Sequence, residues 1–191
     1  MNEYGVDPPY VPDREVFGAF THQEIWDLVH EALDPSALGR VADSWRHNAE
    51  LVGEAFRVFS DTVDREFARW GGQSREAAVR ATRNFVARGL VVPEVCDALQ
   101  HLLEADAEVA QSIRDAIPPP PPPYRPLDDP AAEAVHGGQR RMEYDLAAAA
   151  TLADVRDVMT YLYNPSLPAS GDRVPRFAPA PTGPGSSGGL R

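Results

Sequence analysis

Residues 34–74 read DPSALGRVADSWRHNAELVGEAFRVFSDTVDREFARWGGQS, and their pattern decides the fold. The stretch opens on Asp34-Pro35, a capping side chain ahead of a proline at the first helical position, where the missing amide donor costs nothing. Leu38, Val41, Trp45, Ala49, Val52, Phe56, Phe59, Val63, Phe67 and Trp70 then recur at spacings of three and four, a heptad seam along one long helix. The seam stops at Gly71-Gly72, where the backbone can turn sharply, and Ser74 is placed to cap a new helix.

Upstream, Thr21 followed by Glu24 forms a capping box, which predicts a short first helix from Thr21 to Leu33. Downstream, Ala78, Ala81, Phe85, Gly89, Val92, Leu99, Leu102, Val109, Ile113 and Ile117 mark a third helix on a comparable seam, kinked at Pro93. Asp129-Pro130 opens a fourth helix reaching about Leu162, with Met142, Leu146, Ala149, Leu152, Val155, Met159 and Leu162 on one side. The expected class is all-α: an elongated antiparallel helical hairpin or bundle with an additional C-terminal helix and disordered termini. At 1.5 Å per residue the two long helices predict a rod roughly 50 to 65 Å long.

Proline placement sets the boundaries. Of 19 prolines only Pro35 and Pro93 fall between residues 13 and 117, while six form the run Pro118 to Pro123. Interior proline breaks helices, so 13–117 reads as one helical domain, 118–128 as a proline-rich linker and 129–163 as the C-terminal helix. Residues 1–12 and the Pro-, Gly- and Ser-rich 164–191 read as disordered. A two-helix hairpin leaves Leu51, Val58 and Leu103 off its shared seam, so either the fourth helix or a second polypeptide must cover them. The six prolines span roughly 19 Å, enough to reverse the chain or to hold the fourth helix away.

With 18 basic against 29 acidic side chains, a net charge of −11 and a pI near 4.8, the chain would repel nucleic acid and anionic membranes. All the basic residues are arginine, a composition typical of GC-rich, actinobacterial-type genomes. A single cysteine, Cys96, excludes an internal disulfide. The N-terminal stretch lacks a basic region followed by an apolar one, and no run approaches the roughly 18 apolar residues of a membrane span.

The usual catalytic signatures are absent from the sequence. His22, His30, His47, His101 and His136 show no ligand spacing and are expected to be solvated, with no metal bound. Cys96 reads as a small buried apolar residue, and Glu104, Asp106 and Glu108 as a solvated face. Gly71-Gly72-Gln73-Ser74 and Gly137-Gly138 lack the lysine of a phosphate loop, and no nucleophile elbow occurs. The polyproline run fits a WW ligand pattern at Pro121 to Tyr124 and an SH3 pattern at Pro120 to Arg125 but reads as a rigid spacer. No catalytic residue and no cofactor are expected, so the chain is read as a non-enzyme.

Trp70-Gly71-Gly72, at the break between two long helices of a small acidic protein, resembles the W-x-G turn of helical-hairpin proteins handled by type VII secretion systems. The likeness extends to the PPE family. Its F-G-x-x-P-P-E-I, A-W and W-x-G-x-S elements correspond in order and approximate spacing to Phe17 through Ile25, Ala42 to Trp45, and Trp70 to Ser74. The family's Pro-Pro is replaced by Thr21-His22-Gln23, one residue longer, so the chain is PPE-like over residues 17 to about 117.

This resemblance implies a non-enzymatic secretion substrate, exported folded as a heterodimer with a small PE-like helical partner, and located outside the cell or at its envelope. Trp70, Gly71 and Gly72 would be read by the secretion apparatus. Trp45, Val52, Phe56, Phe59, Val63 and Phe85 would bind the partner. The family's Y-x-x-x-D/E signal is matched by Tyr124 to Asp128. The other readings are a cytoplasmic coiled-coil adaptor or secretion chaperone, and self-association into a homo-oligomer.

Overall fold

A computed structural model describes residues 5–177, and its helices begin where capping chemistry places them. The Thr21 hydroxyl accepts from Glu24 N at 3.3 Å while Glu24 Oε2 accepts from Thr21 N at 2.7 Å, so the capping box of α1 (His22–Asp27) is complete. That backbone donor is the main reason the Glu24 carboxyl sits below its ordinary pKa. α1 runs on as a π-helical turn, Leu28–Ala32. Asp34 Oδ1 then accepts from Ala37 N at 3.1 Å at the head of α2 (Pro35–Phe67). α3 (Gln73–Gly89), α4 (Val91–Ala116) and α5 (Pro130–Val158) follow. α5 passes through a second π-helical turn, Met159–Tyr163, into α6 (Asn164–Ser170).

The fold is all-α, with one two-residue antiparallel pairing between β1 (Gly5–Val6) and β2 (Pro175–Arg176) among the described residues. Both strands lie in segments read as disordered from sequence, and α6 also runs beyond the expected helix end at 163. Pro165 and Pro168 are both carried within this continuous helical stretch, so proline does not end it at 163. The rest of those terminal segments, 1–4 and 178–191, lies outside the described residues.

The chain divides into two compact units, and α2 and α4 each supply residues to both. The first holds Ala42–His101 with 5–8 and 173–177. In it Gly53 lies beside Pro93, Phe56 beside Gly89 and Phe59 beside Phe85, so partner numbers fall as residue numbers rise and the pairing is antiparallel. Its buried apolar set is small: Ala42, Ala49, Val95 and Cys96. The expected kink at Pro93 is instead a break at Leu90, and Pro93 sits in the first turn of α4, where its missing donor removes no helical bond. A Cβ on Gly89 would meet the Phe56 ring at 2.0 Å, so only glycine admits that aromatic against the end of α3.

The second unit, Pro9–Val41 with Leu102–Asp172, contains the main core. Phe17, Ile25, Val29, Ile113, Ile117, Val155 and Met159 bury one another, so the far end of α5 is covered by α1 and by the end of α4. The division departs from the single 13–117 domain because the core gathers apolar residues from three distant stretches, whereas prolines mark only joints. Arg156 Nη2 donates to the Phe20 carbonyl at 2.6 Å and Arg14 pairs with Asp172 at 2.8 Å. Among the described residues no helix is long and apolar enough to cross a membrane.

Candidate functional site

The turn between α2 and α3 is built by hydrogen bonds that tighten the helix end. Arg69 N donates to Glu66 O at 3.2 Å and Trp70 N to Phe67 O at 3.1 Å. The chain then reverses through Gly72, which has φ +79° and is the one described residue in the positive-φ region that favours glycine. Gly71 has no such need: its φ is ordinary and a Cβ there would meet open space. Trp70 is 54% exposed, with its ring 5.2 Å from Phe67. Ser74 does not cap α3. The helix starts one residue earlier at Gln73, with Gly72 as the capping residue and Arg75 N bonded to Gly72 O at 3.2 Å.

The six residues expected to bind a partner are partly used within their own unit. Phe85 packs between Phe56 and Phe59, with centroids 5.5 and 5.6 Å away, and Trp45 lies 6.3 Å from Phe177. Val52 and Val63 are half-buried, while Phe59 and Phe85 leave nearly half their surface open. Leu51 and Val58, off the seam, are exposed.

Tyr124 is a clasp rather than a free linker residue. Its hydroxyl donates to Glu133 Oε1 at 3.0 Å and reaches the Gly137 carbonyl at 3.3 Å, and the Arg140 and Arg141 guanidinium groups stand 5.7 and 5.6 Å from its ring. Glu133 Oε2 accepts from Leu127 N at 2.8 Å, and the Tyr144 hydroxyl donates to the Pro122 carbonyl at 2.9 Å. The proline run is thereby strapped along α5, a role that sequence patterns for spacers do not describe. Leu127 N holds the Glu133 carboxyl below its ordinary pKa, and burial followed by the Glu133 bond raises that of the Tyr124 hydroxyl. Tyr124 and the exposed Asp128 lie in non-helical chain, so they share no helix face.

The strap also decides which face of the middle of α5 is covered. Met142 and Leu146, expected on the packed side, are 58% and 65% exposed, because Tyr124, Tyr144 and Gly137 assign the opposite face to the prolines. Adjacent glycines should respond oppositely to alanine. A Cβ on Gly138 meets nothing within 4 Å, so Gly138→Ala should stabilise the protein by about 0.5 to 1 kcal/mol. On Gly137 it would lie 2.2 Å from Glu133 Oε1, evicting the carboxylate from its bonds to Tyr124, Leu127 N and Arg140, so Gly137→Ala should cost about 1 kcal/mol net. The clasp's carboxylate contribution, set by the lowered Glu133 pKa, is present above the ordinary carboxylate value and is lost as pH falls through the lowered one. Urea titrations of both variants at neutral and acid pH check sign and pH dependence together.

Two residues read as solvated are buried. His22 is 8% exposed, with Nε2 2.8 Å from the Pro118 carbonyl, so the residue standing where the resembled family has proline anchors the start of the strap. Asp106 is equally enclosed, beside Leu33, Leu38, Tyr163 and Leu167. No local pattern announces either, since the His22 partner is 96 residues away. Cys96 is buried as expected, and burial raises its thiol pKa, with Asp97 adding to the shift. Among the described residues no three His, Cys, Asp or Glu side chains gather as a metal site.

Compared with protein-family models, curated proteins and solved structures, the chain matches none. The residues themselves therefore carry the functional argument, and the exposed Trp70 turn is the best-defined candidate.

Proposed function

We propose that this protein is a non-enzymatic substrate of a type VII secretion system, exported folded and as a one-to-one heterodimer with a small PE-like helical partner, to act outside the cell or at its envelope. The observation that carries the reading is the Trp70 turn: an indole 54% exposed, held by a Gly72 backbone that other residues adopt only under strain. Tryptophan is highly buried on average, so an indole this open at a fixed turn is available to a second protein. Leu51, Val58 and the open sides of Phe59 and Phe85 support a partner surface on the same unit. They suit equally the second reading, a cytoplasmic adaptor or chaperone that holds another protein.

Location separates the two. Trp70→Ala, expressed with the partner and the secretion apparatus, should cost no more than about 2 kcal/mol, below a core truncation, since just over half of the side chain is already in water. It should keep the partner in co-purification and lose most of its export. Wild-type export of a variant whose melting is unchanged would remove the turn as a signal and leave the adaptor as the better reading.

A further inference from the structure

α5 carries an apolar stripe that nothing in its unit covers. Val135, Met142, Leu146, Ala149 and Ala153 recur at spacings of three, four and seven on the face opposite the strap, and Val135 is 74% exposed. One edge of the stripe is acidic. Among the described residues Glu143, Asp154 and Asp157 make no ion pair, and Glu143 holds only the Gln139 amide, at 2.8 Å. On the other edge the Arg141 cation faces the Tyr124 ring.

The complementary surface is on the same chain. α3 bears four arginines against one glutamate, net +3, in a protein of net −11. Arg75, Arg80 and Arg83 line an open groove with Glu76 and Val79, and half-buried Val86 continues that face. Arg75 and Arg83 make no ion pair among the described residues, and Arg80 reaches Glu76 only at 3.9 Å. At 1.5 Å per residue the 17 residues of α3 span about 25 Å, comparable to the α5 stripe.

We propose that α3 of one copy docks on the α5 stripe of a second copy, Val79 and Val86 meeting Met142 and Leu146 while Arg75, Arg80 and Arg83 face Glu143, Asp154 and Asp157. Two different surfaces meet, so the contact is heterologous and adds copies in succession instead of closing at two by necessity. The inference goes beyond the export reading, and its test contains no partner or secretion apparatus, so either can fail without the other.

Sedimentation velocity of the full chain should show concentration-dependent association that weakens as salt rises, because the flanking charges are exposed. Arg75→Glu/Arg80→Glu/Arg83→Glu should weaken association on the order of tenfold or more, as should Glu143→Arg/Asp154→Arg/Asp157→Arg. An equimolar mixture of the two variants restores opposite charges across the contact and should associate again. All six positions are exposed, and circular dichroism confirms the fold of each variant. A wild type that stays monomeric at ~100 µM in low salt, variants that associate as the wild type does, or a mixture that stays apart would each overturn the proposal.

Discussion

Phe17→Ala should destabilise the protein by about 3 to 5 kcal/mol, the range for truncating a large aromatic in a core. Phe17 is 2% exposed, in a short 3-10 turn just ahead of the α1 capping box. Its ring lies 5.4 Å from Phe20 and meets Tyr163 edge-on at 5.7 Å. Partial collapse, the usual relief for such a truncation, has little to draw on here. A cavity of about 160 Å³, lined by Phe17, Val29, Leu33, Met159 and Tyr163, already adjoins the ring and would merge with the new void. Phe85→Ala is the comparison: that ring is 49% exposed, so its truncation should cost roughly half as much or less. Urea titration of both variants by circular dichroism gives the two values. A Phe17→Ala loss below about 1.5 kcal/mol would mean that the α1, α4 and α5 residues do not form one core.

Local chemistry was readable in most places where both partners lie within one turn of each other, the Ser74 cap being the exception. Thr21 with Glu24, Asp34 before Pro35, Asp129 before Pro130, and Gly72 after Trp70 all act in the structure at the positions their spacing indicates. Periodicity was readable as helix but not as orientation. The apolar row of α5 steps by threes from Leu146 to Val155 and so drifts around a 3.6-residue helix, leaving its Val155 end buried and its Met142 end exposed on the side away from Tyr124 and Tyr144. Proline was readable as a breaker but not as a surface. A run that lacks amide donors still presents carbonyls, and those of Pro118 and Pro122 take hydrogen bonds from His22 and Tyr144. Of the candidate site, both the glycine turn and the exposed tryptophan ahead of it were legible, since Trp70 ends its helix where two glycines turn the chain.

Arg114→Met should cost about 2 to 4 kcal/mol although it removes a residue that reads as one more cation at a helix end. Its Nη1 donates to the carbonyls of Val29, His30 and Leu33 at 3.0, 3.1 and 2.6 Å. These oxygens close the π-helical turn after α1, where the chain ends its helix and the last carbonyls have no acceptor role inside it. Val29 is 2% exposed, so water cannot readily replace the guanidinium. A cation at a helix C-terminus also opposes the negative end of the backbone dipole. Methionine keeps much of the aliphatic stem, which isolates the loss of donors from the loss of packing. Arg114→Lys retains the charge and should recover part of the deficit. Because the group is half-buried, the deficit should persist at high salt, whereas Arg83→Met, exposed and without an ion pair among the described residues, should change stability by no more than about 0.5 kcal/mol. Nothing within four residues of Arg114 distinguishes it from Arg83; the partners that do are 81 to 85 positions away in the chain. Equal and small losses for Arg114→Met and Arg83→Met in urea titration would show that solvent satisfies those carbonyls and that the turn after α1 holds without its cap.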